Sequence, residues 1–192
     1  GAGDYTAPAR LAATAARPGA TAVAISPTHA GYPALPAHDS PYSPSSRRWH
    51  NVAYLDCDAV PGADVARRAP DGPADAALID WPRVLPAKLR RLRACFDAWR
   101  ASDDPSRDTF QRFRAAGGAA LDAHARFDAL QAFCIEHGIG ADWRQWPAQW
   151  RMPGSAEVDA FGGTASRPSR VHPFLAVSAL LHKFTAPPAI FC

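Results

Sequence analysis

Leu85, Leu89, Leu92, Phe96 and Trp99 recur at spacings of four and three, the repeat that lines up one face of an α-helix. An apolar stripe of this kind cannot stand alone in water. Each buried leucine or phenylalanine contributes about 1.5–3 kcal/mol, so the helix demands a partner surface and the chain must fold around it. Arg90, Arg91, Arg93 and Arg100 fall on the other faces of the same helix. Residues 109–137 carry the pattern more loosely, through Phe110, Phe113, Leu121, Phe127, Leu130 and Phe133, and Gly117-Gly118 between them predicts a break into two helices. The two segments share a period but no sequence register, so they are not a repeat.

Upstream, residues 4–17 combine an acidic start, a proline in the first turn and alanine-rich helix formers, closed by Pro18-Gly19. That predicts a capped helix. Thr21 to Ser26 is a short β-prone apolar run, expected as a buried strand of a parallel sheet. From Pro27 to Asn51 the chain is crowded with Pro, Ser, Gly, His and Tyr and reads as a long ordered loop. Loops of that length inside a compact domain are usually functional or disordered, and Tyr32, Tyr42, Trp49 and His50 favour the functional choice. Val52 to Asp56 is expected to leave the loop as a short extended segment.

The chain is 47% apolar and 10% aromatic, which places it among globular proteins and away from the disordered regime. Its 21 basic and 18 acidic residues are interspersed, with a formal charge of +3. No block of like charge would track a phosphate backbone, so nucleic acid is not an expected partner. Cys57, Cys95, Cys134 and Cys192 are widely separated and signal neither a zinc site nor a disulfide framework. Buried free thiols in a reducing cytoplasm are the expectation. No apolar run approaches the roughly 18–20 residues that span a bilayer, so no membrane partner is expected. The only methionine is Met152, and a preceding N-terminal stretch is the simplest explanation.

Three blocks of residues carry a family resemblance. Gly1-Ala2-Gly3-Asp4 resembles a G-x-G-D turn after a first barrel strand. Ser26-Pro27-Thr28-His29-Ala30, then Ser40-Pro41-Tyr42-Ser43-Pro44-Ser45-Ser46-Arg47-Arg48-Trp49-His50-Asn51 and Tyr54-Leu55-Asp56, look like an S-P-Y-S-P-S-S-R loop. Asp80-Trp81 through Lys88, His124 to Leu130, and Asp142-Trp143-Arg144-Gln145-Trp146-Pro147 are similar to a helical insert with a D-W-R-x-W-P element. Together they resemble the 4-alpha-glucanotransferases (amylomaltases), a branch of the alpha-amylase clan, over about residues 1–161.

The resemblance implies an α/β fold, a partial TIM-type (β/α) barrel with a helical insert and incomplete at both ends. Residues 1–80 would supply early barrel elements with the substrate loop 27–51, and residues 81–161 the insert. After Phe161 the chain reads unlike the family, and all 18 acidic residues lie at or before Asp159. Residues 162–192 are therefore expected to be translated out of frame.

The implied activity is transfer of alpha-1,4-glucan segments to a glucose or glucan acceptor by a retaining covalent mechanism, with maltooligosaccharides or alpha-1,4-glucan as partners and no cofactor or metal. In the family the catalytic carboxylates come from later strands than any in this chain. Asp4, Asp56, Asp103, Asp104 and Asp108 are expected to cap or to stay solvated, so no catalytic residue is assigned and the chain alone is expected to be inactive and to aggregate. Tyr42 is the leading substrate contact, since an aromatic face can stack on a sugar; the competing reading packs its ring between Pro41 and Pro44. Ser40, Ser43 and Asn51 could bond sugar hydroxyls, although backbone bonding is their commoner use in loops. His29 could reach a hydroxyl or brace the loop. Trp143, Trp146 and Trp150, at spacings of three and four, suggest core packing on a helix more than a glucan-binding stripe. A non-catalytic glucan-binding module and a helical interaction protein built on residues 82–137 stand as alternatives; the S-P-Y-S-P-S-S-R block argues against the second.

Overall fold

Residues 3–64 and 78–163 are described by the computed structural model of the chain. Gly1, Ala2, Cys192 and all of the expected out-of-frame tail beyond Gly163 lie outside the described residues. Helix α1 spans Thr6–Ala16. Asp4 starts it, its Oδ1 accepting from the Thr6 and Ala7 amides at 3.0 and 3.1 Å, which satisfies two N–H groups that the first turn leaves unpaired.

Thr21 to Ser26 do not form the expected parallel strand. They make no ladder; Val23 and Ile25 are half-buried and the other four are exposed. A parallel strand needs lateral partners, and the described residues supply none. The sheet that does form is small and antiparallel: β1 (His29–Ala30) pairs with β2 (Ser46–His50), His29 opposite His50 and Ala30 opposite Ser46, with an irregularity between. No barrel is present among the described residues, which are mostly helical. Val52–Tyr54 is a 3-10 turn and not an extended segment, because Asn51 caps it by accepting from the Ala53 amide at 2.9 Å.

Helix α2 (Trp81–Ala101) begins at Asp80, whose side chain accepts from the Arg83 amide. The stripe turns inward as its spacing requires. Leu85, Leu92, Phe96 and Trp99 are buried, joined by Cys95, and Leu89 packs against the cluster of Val52, Leu55, Cys57, Val60, Leu92 and Cys95. That cluster is the partner surface for Leu89 and Leu92, while Phe96 and Trp99 pack with Phe110. Of the arginines, Arg91 leaves solvent to pair with Asp58.

Helix α3 (Ser106–Glu136) follows after a short turn in which Trp99 Nε1 donates to Ser106 Oγ at 2.8 Å and Asp104 Oδ1 accepts from the Ser106 amide at 2.7 Å. At Gly118 the backbone leaves the helical region (φ 51°, ψ −150°), dividing α3 into two arms where Gly117-Gly118 predicted the break. Cys57, Cys95 and Cys134 are free and buried. Trp143, Trp146 and Trp150 do not share a helix. They sit on two 3-10 turns, Trp143–Gln145 and Ala148–Trp150, with Pro147 between. Trp146 is buried with Leu130, Cys134 and Val158, Trp150 packs on that cluster, and Trp143 is 43% exposed. Helix α4 (Ala156–Gly163) closes the described chain.

Candidate functional site

The segment from His29 to Tyr54 is braced at both ends. The Asn51 amide donates to Thr28 O at 2.9 Å, the Ser45 amide to Ala30 O at 2.8 Å and the Tyr5 amide to Tyr54 O at 2.8 Å. Ser45 Oγ donates to Gly31 O at 2.6 Å. Within these anchors the chain runs through short turns, Leu35 N to Tyr32 O and His38 N to Leu35 O, so residues crowded with proline and serine fold as an ordered loop.

The loop encloses a cleft. His29, Ser40 and Asn51 line it with Tyr32, Tyr54 and Trp81. The cavity measures about 30 Å³, room for one or two waters and too little for a sugar ring. Asn51 spends its side-chain oxygen on the Ala53 amide, and His29 sits in β1 opposite His50. Burial raises the Tyr54 phenol above its usual range, with the Asp39 carboxylate adding to the rise, so Tyr54 is a neutral donor at neutral pH.

Tyr42 and Ser43 do not line this cleft. Ser43 closes a turn by donating its amide to Ser40 O at 3.2 Å, while His38 Nε2 lies 3.3 Å from Ser43 O. Pro41 and Pro44 turn toward the cleft, and the Tyr42 ring is 71% exposed. The structure therefore brings His29, Ser40 and Asn51 together and holds Tyr42 out on the turn beside them.

Three of the carboxylates singled out in the sequence, Asp4, Asp56 and Asp104, have structural partners. Asp4 and Asp104 cap helices as described. Asp56 is desolvated, which opposes ionisation, yet the Thr6 hydroxyl at 2.6 Å, the Asp58 amide and the Lys88 charge together lower it below the usual range. It is a held anion, suited to fastening α1 and not to donating a proton.

A second arrangement is built from residues far apart in sequence. Trp49 of β2 stacks on His124 of α3, centroids 6.4 Å apart and planes 21° apart, and Arg48 lies over the Trp49 ring at 5.8 Å. Asp128 beside it is buried, 5% exposed; its Oδ2 is 3.7 Å from His124 Nε2 and its Oδ1 has no hydrogen-bond partner among the described residues. Burial pushes the His124 imidazole down to about 4 and the Asp128 carboxyl well up, so each is held toward its neutral form. Trp49 is visible in the sequence as a loop residue; its stacking on His124 is not, because nothing local signals a contact between β2 and α3. No group of three or more metal-ligating side chains occurs among the described residues, and no described helix is long and apolar enough to cross a membrane.

Comparison with known proteins adds what the geometry leaves open. The family model described as 4-alpha-glucanotransferase matches residues 1–182, a match that continues past Phe161. A 4-alpha-glucanotransferase of Haemophilus influenzae is 31% identical over 182 residues, covering 83% of this chain and 26% of that protein. The 4-alpha-glucanotransferases of Mycobacterium bovis and Mycobacterium tuberculosis are each 32% identical over 178 residues, covering 84% of this chain and 24% of theirs. The chain thus spans about a quarter of the length of the curated relatives it matches.

Proposed function

Because the chain belongs to the 4-alpha-glucanotransferase family, we propose that it supplies the substrate loop and the helical insert of an enzyme that transfers alpha-1,4-glucan segments between acceptors. In this reading residues 1–80 belong to the early part of a (β/α) barrel and residues 81–161 to the insert. The observation that carries the loop's role is Tyr42, an aromatic ring 71% exposed on a turn whose two flanking prolines are anchored in the cleft. A ring exposed on a braced turn has a face free to meet a ligand, and the face of a glucosyl unit is a fitting one.

The chemistry would be retaining. One carboxylate attacks the anomeric carbon and displaces the rest of the donor; a second protonates the departing oxygen and then takes a proton from the incoming sugar hydroxyl, the pair standing about 5–5.5 Å apart. Asp4, Asp56 and Asp104 are committed to hydrogen bonds that fasten the fold, and since the family resemblance places both catalytic carboxylates on later strands, this reading assigns both roles to residues beyond this chain. The loop then holds the donor glucan while the transfer takes place.

The test is glucose release and chain redistribution from maltotriose, measured for the 192-residue chain and for a version extended to the length of the relatives. Activity in the extended version alone is expected. Tyr42→Ala in that version should lower kcat/KM about tenfold, as loss of one stacking contact predicts. Inactivity in both versions would refute the transferase reading, and activity in the short chain would refute the placement of the carboxylates.

A further inference from the structure

Where the second arm of α3 meets the two tryptophan turns and α4, the chain leaves a pocket of about 290 Å³. Phe127, Leu130, Trp143, Trp146, Trp150 and Val158 supply its apolar walls. The walls are fixed before any ligand arrives. Leu130, Trp146 and Val158 belong to the core, the Phe127 and Trp146 rings stand 5.6 Å apart, and Trp146 Nε1 donates to Gly140 O at 3.0 Å. The turn carrying Pro153 and Gly154 is pinned as well, Ser155 N donating to Met152 O at 3.1 Å and Ser155 Oγ to Gln149 O at 2.7 Å. Two cations and no acidic side chain line the pocket. Arg126 is committed to Asp159. Arg151 is exposed, and its guanidinium has no ion pair or hydrogen bond among the described residues.

We propose that this pocket binds a small, flat aromatic carboxylate, its rings against Phe127 and the tryptophans and its carboxylate on Arg151. Size sets the number of rings. An apolar cavity of about 150 Å³ holds one benzene, so 290 Å³ takes two fused rings. Charge sets the substituent, because Arg151 is the uncommitted polar group at the pocket and a guanidinium offers a carboxylate two parallel N–H donors. An apolar pocket with one placed polar group is the usual form of a small-molecule site. A sugar is a poor occupant. The Trp146 N–H is spent on Gly140 O, and hydroxyls buried against these walls would lose water without gaining partners. The site therefore lies beyond the transferase reading and does not depend on it.

The test is calorimetric titration of the 192-residue chain with 2-naphthoate, with the neutral 2-naphthalenemethanol and with decanoate, which keeps the charge on a flexible chain. Ala123 and Arg151 line the pocket and are exposed, so Arg151→Ala and Ala123→Phe should leave the circular dichroism spectrum unchanged. The expected result is that 2-naphthoate binds about tenfold more tightly than the alcohol, the worth of one charge-assisted contact, and more tightly than decanoate. Arg151→Ala should remove the preference for 2-naphthoate over the alcohol and leave the affinity for the alcohol unchanged, while Ala123→Phe, which sets a ring in the pocket, should weaken both. Equal affinity for 2-naphthoate and the alcohol in the parent would overturn the role of Arg151, and tighter binding of decanoate would overturn the aromatic assignment. Parent-like binding of 2-naphthoate in both variants, or none by the folded chain, would overturn the site, with the maltotriose assay deciding the transferase reading separately.

Discussion

Replacing Asp128 by Asn should make the stability of this chain more steeply pH-dependent than the parent's, because it removes one of two opposed titrations. His124 titrates at about 6.5 when unfolded and is pushed down to about 4 by burial. Its contribution is fully present above pH 6.5 and is lost as the pH falls toward 4, since the unfolded chain then binds a proton that the folded one refuses. Asp128, pushed up by burial, has the opposite sign: its contribution is present below the unfolded value of 3.8 and is lost as the pH rises through the folded value. Near pH 5 the unfolded pair carries one proton on His124 and the folded pair one proton on Asp128, so the two slopes offset each other. Asp128→Asn removes one side. The window from 6.5 to about 4, at about 1.4 kcal/mol per pH unit, gives a loss of about 3 kcal/mol on acidification that Asp128 opposes in the parent. His124→Gln should reverse the slope, gaining stability as the pH falls. Urea midpoints followed by tryptophan fluorescence between pH 7 and 4.5 measure both, as the difference between variant and parent at each pH. A difference that stays constant across the window in Asp128→Asn would refute the assignment of opposed, burial-driven shifts.

Three further outcomes follow from the packing. Leu121→Ala removes a side chain only 1% exposed from the junction of α3 with Trp49 and Phe113, and should cost about 2–5 kcal/mol in urea unfolding. Gly62→Ala should cost about 2 kcal/mol or more, because Gly62 has φ +79° and a Cβ there would stand 2.4 Å from Cys95 O; a thermal melt reads it. Asn51→Ala, which removes the cap on the Val52–Tyr54 turn, should lower stability by about 1 kcal/mol and leave the helical content unchanged by circular dichroism.

Periodic features were legible in the sequence and unpaired ones were not. The α2 stripe, α1 and the break at Gly117-Gly118 rest on local rules: helical spacing, capping and the conformational freedom of glycine. Thr21 to Ser26 has the composition of a buried strand, but composition speaks of burial and not of a pairing partner, which must come from elsewhere in the chain. Val52 to Asp56 was misread because the side chain of Asn51 nucleates a turn that the β-branched and aromatic residues after it conceal. Trp143, Trp146 and Trp150 have helical spacing for a different reason. Pro147 has no N–H and restrains the residue before it, so the same spacing arises from two separate turns. At the candidate site, the clustering of His29, Ser40 and Asn51 follows from the β1 and β2 pairing around a proline-rich loop. The meeting of Trp49 with His124 depends on how α3 lies, which no local signal specifies.

Gly118 sets how far a disturbance travels along α3. With φ 51° and ψ −150° in mid-helix, it breaks the regular path along which helical order propagates, and the two arms stay joined across it by side chains, Phe113 against the Leu121 cluster and Arg114 with Asp122. The first arm is tied to α2 through Ser106 and Phe110 on Trp99, and the second to β2 through Trp49. Amide exchange along this one helix should therefore step at residue 118, the first arm opening more in step with α2 and the second more in step with the loop, and Leu121→Ala, which loosens the contact with Phe113 across the bend, should widen the step.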